Sequence, residues 1–468
     1  MPERLTALDA SFLYLEKPHL HMHVAGLAVF DPADSPHGPL TLERLRELTE
    51  SRIHLVPRWR QRALEPPLGI HRPVWVDDPG FDIDDHLRRV AIAKPGGPSQ
   101  LADRVGELHS QQLDREKPLW EMNLIEGLEN GYQAVLTKTH HAMLDGVGGM
   151  DLVMLLFDTE PDPEPGEVEP AEPSPPSTWP SPVELALDAI VDRVREPIDA
   201  LRRTVERAAR TPRELLQRGA DLARGAAELL TKGLAPSSPL NAEVGATRRF
   251  AMTEIPLEEA RAVGHALGGK VNDVFLSSVA DAIGRRLDER GEPTEGRTVR
   301  ALMPASTRAD DQHGSTLGNK LTTLFVDLPI EPMGPERRLE LVHERTAELK
   351  DSHQGETVAA FVDGARWAPP RLHRGMARFG NSNVRMINLV ASNIPGPQMP
   401  MYLGGTRLVA YYPLLPLGAN AALSIAVISM SGVMGIGLTG DWNAFPDLKL
   451  LAVDVEESFN ELKKVAGI

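Results

Sequence analysis

Between Gly131 and Asp158 the sequence GYQAVLTKTHHAMLDGVGGMDLVMLLFD switches its hydrophobic period, and that switch constrains the fold more than any other stretch. From Gln133 to Thr139, Val135, Thr137 and Thr139 fall on one face and Ala134, Leu136 and Lys138 on the other, the β-branched alternation of a strand. From Gly149 to Asp158, Met150, Leu152, Val153, Leu155, Leu156 and Phe157 crowd too closely for a single stripe, which predicts a helix buried on most sides. A strand leading through a short turn into a buried helix is an α/β unit. The connection carries His140, His141, Asp145 and Gly146, and reactive groups are commonly mounted on such connections between rigid elements.

Adjacent strand residues point to opposite faces, so both imidazoles cannot address one ligand if the strand runs through them, and one is expected to be structural. His141 is followed four residues later by Asp145, past a tight turn. A carboxylate so placed can fix the tautomer and orientation that a general base needs. Gly146, Gly148 and Gly149 remove side chains where a ligand or another backbone must come close. Two histidines and an aspartate could also ligate zinc, but adjacent histidines splay apart and no cysteine or HExxH spacing accompanies them, so no metal is expected. The alternating His19, His21 and His23 could likewise form a comb on one strand face, and no ligation is expected there either.

HHAMLDG fits the pattern HHxxxDG and resembles the CoA-dependent acyltransferase superfamily, which includes chloramphenicol acetyltransferase and the condensation domains of peptide synthetases. Within it the chain is similar to the bacterial wax ester synthase/acyl-CoA:diacylglycerol acyltransferases. The narrower likeness is carried by LTALDASFL near the start, PLWEMNLIEGL at Pro118 to Leu128, VNDVFL at Val271 to Leu276, LGNKL at Leu317 to Leu321 and SNIPGP at Ser392 to Pro397. It covers nearly the whole chain except about residues 159 to 245. The resemblance implies an α/β fold of two chloramphenicol-acetyltransferase-like, condensation-domain-like subdomains joined by a helical crossover, with the motif at their interface. It implies acyl transfer from acyl-CoA, as substrate and without a cofactor, to diacylglycerol or a long-chain alcohol. His141 is then the base, with His140 and Asp145 beside it, and Gly146, Asn272 and Asp273 are candidate substrate contacts. A condensation-type acyltransferase of a peptide or polyketide pathway is the rival. The aromatic-glycine motif expected for it near the carboxyl end has only GDW at Gly440 to Trp442 as a candidate. A non-catalytic lipid-binding relative is a third reading, against which the intact motif speaks.

The composition, 41% hydrophobic and 25% charged over 468 residues, is that of a globular chain with room for two or three cores. A net charge of -16 excludes a nucleic-acid partner, which needs a basic footprint. Anionic CoA would need a local basic exception, and PRWRQR, with Arg58, Arg60 and Arg62 around Trp59, is the candidate. The absence of cysteine rules out a thiol nucleophile and fits a cytoplasmic setting. No signal peptide is expected from the opening residues. Asn420 to Gly440 lacks charge over a length that could span a bilayer, but its Ile and Val enrichment and the Ser431-Gly432 turn signal predict two core strands in a hairpin.

Four segments are expected: an amino-terminal subdomain over 1–158, a Pro/Glu-rich linker over 159–182, a helical crossover over 183–245 and a second subdomain over 246–468. Thr41 should cap a helix with Leu42, Leu45 and Leu48 inward. FDIDDHLRR, Phe81 to Arg89, is a polar run leading into a helix-like segment that resumes at Ser99. Ser181-Pro182-Val183-Glu184 has the form of a capping box, opening a helix whose apolar stripe includes Leu187, Ile190, Val191 and Val194. The arginine-rich opposite face of the crossover could lie on an anionic membrane or lipid-droplet surface, although interleaved acids also suit a solvated face. Asn272 is expected to cap the helix of NDVFLSSVADAIGRRL.

Overall fold

The structure, a computed structural model, describes residues 2–144, 155–163, 179–193, 195, 233–306, 321–350, 372, 374–375 and 385–468. The described chain opens with β1 (Glu3–Arg4) and helix α1 (Ala7–Leu15), the latter capped by Thr6, whose side chain accepts from the Asp9 N–H. Next come β2 (His23–Asp31) and α2 (Leu42–Arg52). Thr41 caps α2 through the Arg44 N–H and Leu45 is buried, as the pattern predicts. Then follow β3 (Gln61–Leu64), β4 (Val74–Asp77), β5 (Leu87–Ala91), α3 (Pro98–His109), β6 (Trp120–Glu126) and β7 (Gln133–His140). A small sheet orders β1, β4 and β3. Over Val74 and Val76 of β4 packs Leu185, from a helix over 182–193 whose start is the expected capping box: Ser181 N donates to Glu184 Oε2 at 2.7 Å and Glu184 N to Ser181 Oγ at 3.3 Å. FDIDDHLRR departs from expectation, forming a 3-10 turn and then β5, with Leu87 and Val90 buried against the sheet.

The second half supplies β8 (Arg248–Pro256), α4 (Leu257–Ala266), α5 (Val271–Glu289), β9 (Thr298–Ser306), β10 (Leu321–Pro329), α6 (Pro335–Lys350), β11 (Leu389–Pro395), β12 (Tyr402–Leu403), β13 (Thr406–Leu414), β14 (Leu423–Met430), β15 (Val433–Asp441) and a closing helix α7 (Leu448–Ala466). One six-stranded sheet runs β10-β9-β11-β14-β15-β8. On it α5 buries Val274, Phe275, Val279, Ile283 and Leu287. The uncharged stretch from Asn420 is the predicted hairpin: β14 and β15 pair antiparallel and turn through Ser431 (φ 50°) and Gly432 (φ 84°), two left-handed residues whose twist matches that of the strands they join. Among the described residues no helix is long and apolar enough to cross a membrane.

The other six-stranded sheet runs β12-β13-β2-β7-β6-β5, and here the expected partition of the chain is corrected. Residues 402–414, expected within the second subdomain, complete the first sheet: β13 pairs antiparallel with β2 from Arg407↔Asp31 to Leu414↔Ala25. The same strand presses on the second sheet. A Cβ on Gly435 would lie 2.1 Å from the Tyr411 carbonyl oxygen, and one on Gly437 2.0 Å from that of Pro413, so two glycines at alternate positions of β15 let the backbones meet. From the first half, α3 reaches β8 in a similar way, Gly106 lying against the Arg248 carbonyl and the Phe250 N–H. Phe12 and the residues ending its connection to β2, Leu20 and Met22, pack into the core of the second half, while Ile394, Ile428 and Met430 pack into that of the first. The two halves are therefore interlocked along a seam.

Candidate functional site

The histidine pair sits where β7 ends. His140 is its last residue and His141 opens a 3-10 turn over His141–Met143. Two backbone bonds on opposite sides pin the pair. His140 N donates to Leu119 O at 2.9 Å, and His141 N to Met22 O at 2.8 Å. The first partner belongs to PLW. The second places His141 on the seam, because Met22 is part of the other half's core.

The imidazoles have different surroundings. His140 is 0% exposed, on the sheet face that also carries Lys138 and, across the ladder, His23. Its Nδ1 accepts from the Ala142 N–H at 3.1 Å, closing the turn. His141 keeps part of its surface open and stacks on Phe12, with ring centroids 3.9 Å apart and planes 19° from parallel. Burial holds its basicity down to about 4, only partly restored by its own backbone carbonyl and lowered further by His140. The ring is thus unprotonated at neutral pH. Such a ring can accept a proton from a bound hydroxyl without first losing one.

Asp145 and Gly146 lie outside the described residues, as do Gly148, Gly149 and most of the expected helix after them. Asn272 and Asp273 are described, and the cap falls elsewhere than expected. Lys270 is the N-cap of α5, its N–H bonded at 2.9 Å to the Asp273 carboxylate, and Asn272 lies inside the helix. Both Asp273 oxygens are further engaged from α6, by His343 Nδ1 at 2.7 Å and Thr346 Oγ1 at 2.7 Å. A buried carboxylate so bound is a structural clamp on the helix start. Asn272, released from capping, accepts instead from Asn393 Nδ2 of SNIPGP at 3.2 Å. That contact ties two of the resembling segments together across the second half.

Several other candidates have structural uses. His21 and His23 are buried with parallel rings 5.5 Å apart, His23 meets the His109 ring edge-on at 4.7 Å, and its Nε2 contacts the His109 carbonyl at 2.8 Å. Among the described residues no group of three His, Asp or Glu is arranged to hold a metal. In PRWRQR, Arg58 pairs with Glu3 and Arg62 with Glu116, each at 2.6 Å, leaving Arg60 as the exposed cation of the three. Trp59 and Trp120 stack at 4.5 Å, and the Trp120 indole donates to Trp59 O at 2.8 Å, so PLW braces the core as expected.

Sequence reading missed Phe12 and Glu16 of α1 and the buried Lys138. Lys138 Nζ bonds Leu108 O at 2.9 Å in the last turn of α3 and Gln111 O at 2.6 Å just beyond it, and pairs with Glu121 at 2.8 Å. Phe12 and Glu16 stand four apart, the helical spacing that puts two side chains on one face, but nothing local says which histidine each will meet.

Known proteins resemble the chain over most of its length. Residues 5–275 match the family model described as the wax ester synthase/diacylglycerol acyltransferase catalytic domain, and residues 317–463 match that of the WS/DGAT C-terminal domain. Two proteins of Mycobacterium tuberculosis, both provisionally named diacylglycerol O-acyltransferases, are similar over most of their length. One is 34% identical, covering 91% of this chain and 89% of its own. The other is 29% identical over 99% of this chain and 96% of its own. The solved wax ester synthase/diacylglycerol acyltransferase from Marinobacter aquaeolei VT8 superposes with a TM-score of 0.68 at 27% identity, covering 99% of this chain and 100% of that one. The first condensation domain of the calcium-dependent antibiotic synthetase shares the fold at a TM-score of 0.57 and 16% identity, over 100% of this chain and 96% of its own. The family-model matches, the curated relatives and the HHxxxDG strand end together establish that the chain belongs to the wax ester synthase/diacylglycerol acyltransferase family of O-acyltransferases.

Proposed function

We propose that the chain transfers a fatty acyl group from acyl-CoA to the hydroxyl of diacylglycerol or of a long-chain alcohol, with His141 as general base. The observation that carries this reading is the setting of one ring. His141 is held by its backbone N–H donating to the Met22 carbonyl, covered on one face by Phe12, neutral, and partly open at the seam between the two halves. The acceptor hydroxyl gives its proton to the free imidazole nitrogen as its oxygen attacks the thioester carbonyl. The carbon–sulfur bond then breaks, and the same proton passes from the imidazolium to the departing sulfur. Ester and free CoA thiol are the products, and the histidine is returned unprotonated. Acyl-CoA is here a substrate, and the reading requires no resident cofactor. Asp145 is proposed to orient the base and Gly146 to leave room for substrate. Asn272, its amide turned by Asn393, is a further proposed contact.

The acceptor is a lipid, and we infer that the protein meets it at a membrane or droplet surface. The helix over 182–193 buries Leu185 and Ala189 but leaves Val183, Leu187 and Ile190 exposed at 67%, 58% and 51%, so part of the apolar stripe faces outward. An apolar face at that exposure suits an interfacial helix.

The test is CoA release from palmitoyl-CoA across a panel of diacylglycerols, fatty alcohols and amines. Native protein should turn over with hydroxyl acceptors, and His141→Ala should fold normally and lose at least ~10² of the rate. Near-normal turnover by His141→Ala would remove the histidine from the chemistry, and preference for amines would favour a condensation-type reaction.

A further inference from the structure

Helix α1 delivers Phe12 to His141, and one turn later Glu16 to His140. Glu16 is the C-cap of α1, its N–H bonded to Phe12 O at 3.2 Å, so the two side chains are fixed relative to each other. Its side chain is 2% exposed, an unusual setting for a carboxylate. Oε1 accepts from the Met22 N–H at 3.4 Å and lies 3.6 Å from His140 Nε2, and Arg115 Nε lies 3.4 Å from Oε2. Arg115 is partly exposed, whereas His140 is fully buried.

The other ring nitrogen of His140 fixes the proton's position. Nδ1 accepts from the Ala142 N–H, so it carries a lone pair, and the proton of the neutral ring sits on Nε2, the atom that faces Glu16. At 3.6 Å the pair is beyond hydrogen-bond length, and an approach of a few tenths of an ångström would complete Nε2–H···Oε1. Two routes then run from this carboxylate to the catalytic turn. One passes through His140 to the Ala142 N–H, within the turn that His141 opens. The other passes through the backbone of Met22, whose N–H binds Glu16 and whose carbonyl takes the His141 N–H.

We propose that Glu16 is a positioning residue for the acyl transfer: it holds His140 as the Nε2–H tautomer, keeps Nδ1 free for the Ala142 N–H, and so sets the direction in which His141 projects. The inference rests on His141 being the base. A carboxylate that only filled space would leave turnover per folded molecule unchanged. In the inverted tautomer, two donors, Nδ1–H and the Ala142 N–H, would face each other and the turn would open.

Three measurements test it. In unmodified protein, nitrogen-15 histidine spectra should report His140 as the Nε2–H tautomer, and an Nδ1–H ring or an imidazolium at pH 7 would overturn the proposal whatever any variant does. Glu16→Gln, nearly isosteric, should lower kcat about 10-fold with KM within twofold, a loss of order typical of a misdirected catalytic group. Turnover within twofold of native would overturn it. In the Glu16→Gln background, His140→Ala should cost less than threefold further, well below its cost in the native background, since residues acting through one another are not additive, and an equal cost in both backgrounds would overturn the route through His140. If His141→Ala keeps its activity, the base assignment fails, yet the His140 spectrum still decides whether Glu16 sets the tautomer.

Discussion

Removing the Phe12 ring should move the acid limb of the activity profile. His141 is held to about 4, against ~6.5 for an ordinary histidine, which corresponds to ~3 kcal/mol of preference for the neutral ring. The leading cause is burial, and the Phe12 ring lying 3.9 Å away excludes water from one of the two imidazole faces. If the two faces contribute equally, Phe12→Ala returns about half the preference and raises the basicity to roughly 5 to 5.5. The assay is kcat/KM for CoA release from pH 4 to 9, which reports groups of the free enzyme. A disulfide reagent active in acid can read the thiol, because the protein has no cysteine of its own to contribute background. Native protein should hold its rate down to about pH 5, and Phe12→Ala should lose it from about pH 6. The folded-state value is depressed, so the matching stability contribution is fully present above ~6.5 and is lost as pH falls toward about 4. Phe12 is only partly buried, and its truncation should cost less than the ~3–5 kcal/mol of a core phenylalanine, so Tm must be followed alongside. A native limb near 6.5, or a limb unmoved in Phe12→Ala, would refute the argument that packing sets this basicity.

Two further outcomes follow from the interlocked halves and from the exposed helix. Gly437→Ala puts a methyl 2.0 Å from the Pro413 carbonyl, and Cβ-to-oxygen contact needs more than 3 Å, so β13 and β15 must part by over an ångström; urea unfolding should reveal a loss of ~3 kcal/mol or more, and an unchanged midpoint would show that the seam yields freely. Leu187→Glu with Ile190→Glu should abolish co-flotation with anionic lipid vesicles while leaving the melting temperature unchanged, and flotation equal to native would exclude this helix as the lipid contact.

Much of the fold was legible because it is decided locally. The alternation in β7, the Thr41 cap, the capping box at Ser181 and the turn at Ser431-Gly432 each depend on residues within a few positions, through backbone bonds and caps that span a turn or less. HHxxxDG likewise pointed to the chemistry from seven consecutive residues. Other features could not be settled at that range. Arg407 to Tyr412 reads as a strand wherever it pairs, and only chain closure over more than 300 positions puts it beside β2 instead of in the second sheet. Asn272 reads as a cap, but the helix starts at Val271 with Lys270 as its N-cap, and the Asp273 carboxylate, held by His343 and Thr346 from α6, binds the Lys270 N–H. His140 and His141 have the same side chain on adjacent residues. Which becomes the fully buried partner and which the partly open base depends on the sheet face each enters and on the carboxylate and phenyl ring brought from α1, and that assignment exists only in the folded molecule.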